Sequence, residues 1–202
     1  MALGDPYATV EQLEQRLGKT DDGTFDRLVE AASREVERFA RRQFNKTDTA
    51  SARRFRALDC ERVAVDDFHT LTDLAVEVDG VAWDVSLYVD PRPWDGVQFG
   101  QTGWPYSDLF AINRSWPWSR RALVTVTARW GWAAVPAGIV EATLDVAESM
   151  YLGRAVTQTG FVRSETFDNY SVSFGLPNMS NNGVPSEMMR AAPFRRKVFG
   201  VA

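Results

Sequence analysis

Residues Val124–Arg154 read VTVTARWGWAAVPAGIVEATLDVAESMYLGR, and the character of the chain changes once within them. From Val124 to Trp130 small or branched residues alternate with period two, which predicts a strand. Gly131 interrupts it. Pro136 then stands where a first helical turn tolerates a residue without an N–H. Beyond Pro136 the spacing is helical: Ile139, Thr143, Val146, Ala147 and Met150 line one side, and Val140, Leu144 and Tyr151 an adjoining one. Glu141, Asp145 and Glu148 make a narrow polar stripe. A helix apolar over most of its circumference needs several covering elements, so 136–153 is expected to be a central helix. Glu141 in its first turn and Arg154 beyond its end both suit the helix dipole, and Gly153 is the expected left-handed stop.

Upstream, Thr9-Val-Glu-Gln12 has the form of a capping box opening a short helix that Gly18 closes. Thr24 is the expected N-cap of a longer helix, Phe25 to about Gln43. Its apolar positions Phe25, Leu28, Val29, Ala32, Val36, Phe39 and Ala40 recur at spacings of three and four, which makes it a partner for the central helix. Between these helices the pattern is that of strands: RRFRAL, RVAVDD, LAVEV, a hairpin signal at Asp79-Gly80, then VAWDVSLYV. A loop-like stretch follows from Asp90 to Pro117. The expectation is an α+β chain: a helical scaffold over 1–50 and 131–202, with N-terminal helices, the central helix and a helical C-terminal docking tail, interrupted at 51–130 by an antiparallel β insertion of five or six strands.

Downstream, Val162–Phe174 can form a hairpin with Asp168-Asn169 at its turn. Pro185-Ser186-Glu187 opens a short helix that Pro193 interrupts. The basic and aromatic residues at the end, Phe194, Arg195, Arg196, Lys197 and Phe199, have too little context to bury themselves, so they are expected to be frayed or docked onto something else.

The chain of 202 residues is long enough for a core without disulfides, and Cys60 is its only cysteine. No apolar run is long enough for a membrane helix and no signal-peptide pattern opens the sequence, so a soluble protein made in the cytoplasm is expected. The net charge of −4 is unevenly spread. Seven cations and one acid lie between Arg38 and Arg56, nine acids and one arginine between Ala57 and Asp90. A basic cluster suits nucleic acid, a solvated helix end, or the oppositely charged face of a neighbouring copy in a head-to-tail ring.

Catalytic chemistry has little to work with. His69 is the only histidine, which removes triads with a second base and multi-histidine metal sites. Cys60 lies among alternating residues and reads as packing. Asp66-Asp67 lacks the surrounding loop of a calcium site, and no phosphate-binding glycine motif occurs. No metal, cofactor or enzymatic activity is expected. All seven tryptophans fall between Trp83 and Trp132. They read either as a core for the insertion or as exposed faces for a protein interface or a sugar. The alternative to a structural role is therefore a ligand- or sugar-binding β module using the tryptophan-rich loop.

Three pieces of the sequence, in order, resemble the head-to-tail connector (adaptor) proteins of tailed phages, the siphophages. They are Tyr7–Leu17 with the long helix ending Ala40-Arg41-Arg42-Gln43-Phe44; Arg129-Trp130-Gly131-Trp132-Ala133-Ala134-Val135-Pro136 with the helix that follows; and Ser164–Val172 with Pro185–Arg196. The resemblance implies a structural virion protein in the head–tail neck, assembled in the host cytoplasm. It would be a homo-oligomeric ring, usually of twelve copies, that extends the DNA channel beneath the portal protein and presents a surface to stopper or tail-terminator proteins. Double-stranded DNA would pass through without sequence-specific binding, and no membrane is involved. The resemblance also implies roles for residues: portal docking by Phe194, Arg195, Arg196, Lys197 and Phe199, and a channel or assembly hairpin at Asp168, Asn169 and Tyr170. With the charge pattern, it places Arg38, Arg41 and Arg42 of one copy against Asp66 and Asp67 of the next.

Overall fold

A computed structural model of the chain describes residues 4–57, 59–93, 103–117, 122–158, 164–167, 170–173 and 186–196. The fold is α+β, and the chain divides into two compact units, 1–42 with 136–202 and 43–135. Among the described residues no helix is long and apolar enough to cross a membrane.

The first unit is helical. Helix α1 (Val10–Leu17) opens with the capping box in both directions: the Gln12 backbone N–H donates to Thr9 Oγ1, and the Thr9 N–H to the Gln12 side chain. Gly18 ends it in the left-handed region. Helix α2 spans Phe25–Ala40 and stops short of Gln43, because Arg41 takes the left-handed conformation at φ 55°. Thr24 precedes α2, but its side chain makes no cap. The neighbouring Asp21 carboxylate does that work, accepting the N–H groups of Gly23, Thr24 and Phe25 at 2.9–3.0 Å. These bonds, led by that from Phe25, hold the Asp21 carboxyl below its ordinary pKa.

Helix α4 (numbered after the single-turn α3, Val85–Tyr88, of the second unit) runs from Ala137 to Gln158. It packs against α1, α2 and a 3₁₀ turn at Ser186–Met188. Ile139, Ala142, Thr143, Leu144, Val146 and Ala147 are buried along it. The expected stop at Gly153 fails: a mid-helix glycine costs only about 1 kcal/mol, and no proline follows to enforce an end. A short hairpin follows, β7 (Ser164–Phe167) with β8 (Tyr170–Ser173), as a separate two-stranded sheet.

The second unit is a six-stranded antiparallel sheet in the order β1-β6-β2-β5-β4, with β3 on β2. Its strands are β1 (Ser51–Phe55), β2 (Arg62–Val78), β3 (Val81–Trp83), β4 (Val89–Pro93), β5 (Tyr106–Ala111) and β6 (Val124–Trp130). RVAVDD and LAVEV, which read as two strands, are the two ends of one. β2 pairs with β5 near its start and with β6 from Phe68 to Val78, and irregularities between Phe68 and Ala75 absorb the change of partner. At Asp73 the backbone is left-handed, φ 62°, and the side chain accepts from Arg129 at 2.6 and 2.9 Å. Asp79 and Gly80, both with positive φ, make the expected hairpin turn. VAWDVSLYV is not one strand. Asp84 accepts from the Ser86 N–H and starts a single helical turn, α3 (Val85–Tyr88). The stretch read as loop contains β5 and much of β4, whose inward residues Ser107 and Leu109 are buried although the alternation around them is imperfect. Cys60 is exposed at a bend before β2, not packed.

Candidate functional site

Three constellations could carry a function: the Trp130-Gly131-Trp132 turn, the acidic stripe of α4, and the segment 186–196.

The tryptophan turn lies at the end of β6 and is knitted into its own unit. The Trp130 backbone is held at both ends by Thr47, whose N–H donates to the Trp130 carbonyl at 2.8 Å and whose side-chain hydroxyl accepts the Trp130 N–H at 2.8 Å. The Trp130 indole donates to the Ser51 carbonyl, the Gly131 N–H to the Asp67 carbonyl, and the Trp132 indole to the Asp67 carboxylate at 2.9 Å. Gly131 has φ 94°, and a Cβ there would lie 1.7 Å from the Asn45 carbonyl oxygen. Only glycine fits. Phe44 and Trp104 pack on Trp132, and Phe55 and Phe68 on Trp130.

The other described tryptophans behave alike. Trp116 is buried and Trp83 stacks on it at 4.8 Å and 9°. The described tryptophans are therefore core or packed against it, and Trp94 and Trp118 lie outside the described residues. No open aromatic platform is formed by Trp83, Trp104, Trp116, Trp130 or Trp132, which are buried or half-buried.

The acidic stripe of α4 is clasped from α1. Arg16 bonds Glu141 at 3.1 Å, Glu148 at 2.8 Å and Asp145. The Glu148 bond and the nearby carboxylates push the Arg16 pKa further up, so its charge is fixed. From the other end of the unit Arg190 reaches Glu141 at 3.0 Å and Asp145 at 3.2 Å.

Arg190 precedes Phe194–Phe199, the residues expected to have too little context to bury themselves. Up to Arg196 that expectation is corrected. Met188 and Ala191 are buried, and Phe194, in a second 3₁₀ turn (Ala192–Phe194), lies over Gly138 of α4. Arg195 sits over the Phe39 ring, and the Arg196 N–H donates to the Ala40 carbonyl left open at the end of α2. A glycine on α4 and an unsatisfied helix-end carbonyl supply the context that local sequence did not show. Lys197 and Phe199 lie outside the described residues.

The residues expected between copies divide by exposure. Arg38 is largely exposed and reaches Glu35 one turn back on its own helix. Arg41 is exposed, whereas Arg42 is 6 % exposed. Asp66 pairs with Arg53 at 2.7 Å, and Asp67, 6 % exposed, is occupied by Trp132. Arg38, Arg41 and Asp66 remain accessible, while Arg42 and Asp67 serve the interior. Of the hairpin residues, Asp168 and Asn169 lie outside the described residues, and Tyr170 begins β8. His69 is half-buried in β2. Among the described residues no three His, Cys, Asp or Glu side chains are grouped to hold a metal ion.

No family model matches the sequence, nor does any curated protein sequence. Solved structures do share its fold. One is a chain in the neck of an empty GTA (gene transfer agent) particle computed with C6 symmetry. It is similar at a TM-score of 0.54 and 13 % identity, over 99 % of this chain and 95 % of that one. Another, in the neck of a native GTA particle computed with C12 symmetry, gives 0.51 and 12 % over the same shares. At such low identity the likeness is one of fold, and it extends over nearly all of both chains.

Proposed function

We propose that this chain is a structural protein of a phage-like particle, a connector in the neck between head and tail. It would form a ring under the portal that extends the DNA channel and offers an attachment surface to stopper or tail components. The observation that carries the reading is the fold shared over 99 % of this chain with a chain of the GTA neck, alongside the three sequence pieces that resemble connectors. The C6 and C12 symmetries of those necks favour a homo-oligomeric ring, with twelve copies as its natural number. A net charge of −4 suits a channel through which phosphates slide without being gripped. The described tryptophans are used in the interior, which takes Trp83, Trp104, Trp116, Trp130 and Trp132 out of the sugar-binding alternative, and no catalytic or cofactor role is assigned.

Between copies, exposed Arg38 and Arg41 of one would face the acidic insertion of the next around Asp66. Charge reversal of both, Arg38→Glu with Arg41→Glu, should weaken assembly and leave the fold intact. Portal docking is assigned to the last residues, Lys197–Ala202, with Phe194–Arg196 as their anchored root. The test is co-sedimentation of the purified protein with DNA-filled, tailless heads of its own particle. The full chain should bind at the portal vertex, and the chain lacking Lys197–Ala202 should not. Absence of binding by the full chain, to heads that still accept tails, would overturn the proposal.

A further inference from the structure

The two edges of the six-stranded sheet are unlike. At one edge β4, Val-Asp-Pro-Arg-Pro, carries Pro91 and Pro93, which have no N–H to offer a further strand. At the other, β1, Ser-Ala-Arg-Arg-Phe, has no proline and pairs only with β6 among the described strands. Arg53 and Phe55 turn inward, over or against Trp130. Ala52, Arg54 and, just beyond the strand, Arg56 are exposed. Cationic side chains on an edge deter a like strand, yet they suit an acidic one.

The same chain carries a hairpin short of a strand. β7 and β8 have four residues each and form a two-stranded sheet of their own, joined to no third strand among the described residues. Two-stranded hairpins are marginal in water until a further strand or a packing face is added. β7 bears Glu165 and no cation. Among the described residues the hairpin and β1 belong to different sheets. A closed ring has heterologous contacts, in which every copy offers both a donor and an acceptor surface, so such a pair can be satisfied between neighbours.

We infer that β7 of one copy adds to the β1 edge of the next, with Glu165 set among Arg54 and Arg56, so that the sheet continues across each junction of the ring. This rests on the ring reading, and it names the junction. Backbone bonds give the contact its strength, and the opposite charges select the order of strands.

The test uses particles assembled with full-length chain in which Cys60→Ser removes the exposed native thiol, and Ala52→Cys is combined with Phe167→Cys, two positions from Glu165 and so on the same face of the extended sheet. Mild oxidation should give a ladder of covalent oligomers on a non-reducing gel, rising to the closed ring, whereas each single-cysteine chain should give none. Electron-microscopic averages of the same particles report rings independently. Rings without a ladder overturn the strand addition and leave the ring standing; absence of rings removes both. In a second variant, Arg54→Glu with Arg56→Glu, the free chain should melt as before and rings should be lost, with recovery when Glu165→Lys is added. Rings that persist in the doubly reversed chain would overturn the assignment.

Discussion

The helical unit and the β unit are held together by different physics. In the first, a largely aliphatic core around Phe25, Leu28 and Ile139 is clasped by charge: Arg16 across Glu141, Asp145 and Glu148, with Arg190 on two of the same acids. In the second, large rings fill the interior, from Trp83 on Trp116 to Phe44 on Trp132. Its tightest constraint is steric, at Gly131. Charge networks are screened by salt and depend on partly exposed groups, while packing and close approach are neither screened nor adjustable. The difference teaches where each unit should break.

The largest effect is expected at the turn. Gly131→Ala places a methyl inside the Asn45 carbonyl and demands a left-handed alanine, so it should cost about 4 kcal/mol or more, read by denaturant unfolding. A near-neutral result would mean that residues 45–46 do not lie against the turn. Next is Trp116→Ala, which removes a buried ring and the partner of Trp83; it should cost about 3–5 kcal/mol and be insensitive to salt. Arg16→Ala in the helical unit should cost about 1–2 kcal/mol, since its partners are partly exposed, and the loss should shrink at high salt. A loss that does not change with salt would reassign Arg16 to packing and blur the contrast between the units.

The smallest effect is expected at Asp21, a cap at the surface. Its carboxyl is held below the ordinary value by N–H donors, so its contribution is present at neutral pH and is lost as the pH falls through the lowered folded value. The difference in Tm between the native chain and Asp21→Ala should therefore be positive at pH 7 and close on acidification below about pH 4. A gap that stays constant would assign Asp21 a role that does not depend on its charge.

The helical unit was largely legible because helix signals are local. The capping box at Thr9, the 3–4 spacing of α2 and the apolar sides of α4 each lie within one or two turns of sequence. What misled there was also local: Thr24 looks like the cap, but it is Asp21, three residues earlier, that accepts the N–H of Phe25 at the start of the helix. In the β unit, DG at 79–80 and the alternation of β6 were readable. The continuity of β2 was not, because a strand that changes partners midway carries polar, irregular residues at the change. β5 lay hidden among prolines and loop-like composition.

For the candidate site, the charge asymmetry was visible, but which charges are accessible was not. Arg42 and Asp67 sit beside exposed residues of the same sign, and only the fold shows them turned inward. The Arg16 clasp and the seat of Phe194 on Gly138 join residues more than fifty positions apart, and no spacing rule reports such pairs.

The central claim is that this chain stands in a neck as a ring. Purified particles that contain it should be imaged by electron cryomicroscopy, with the neck averaged about the tail axis and the chain's fold sought in the density. The account predicts one closed ring of this fold between head and tail, with copies related by twelve- or six-fold symmetry as in the similar necks. Absence of the fold from the neck of particles shown to contain the chain would contradict it.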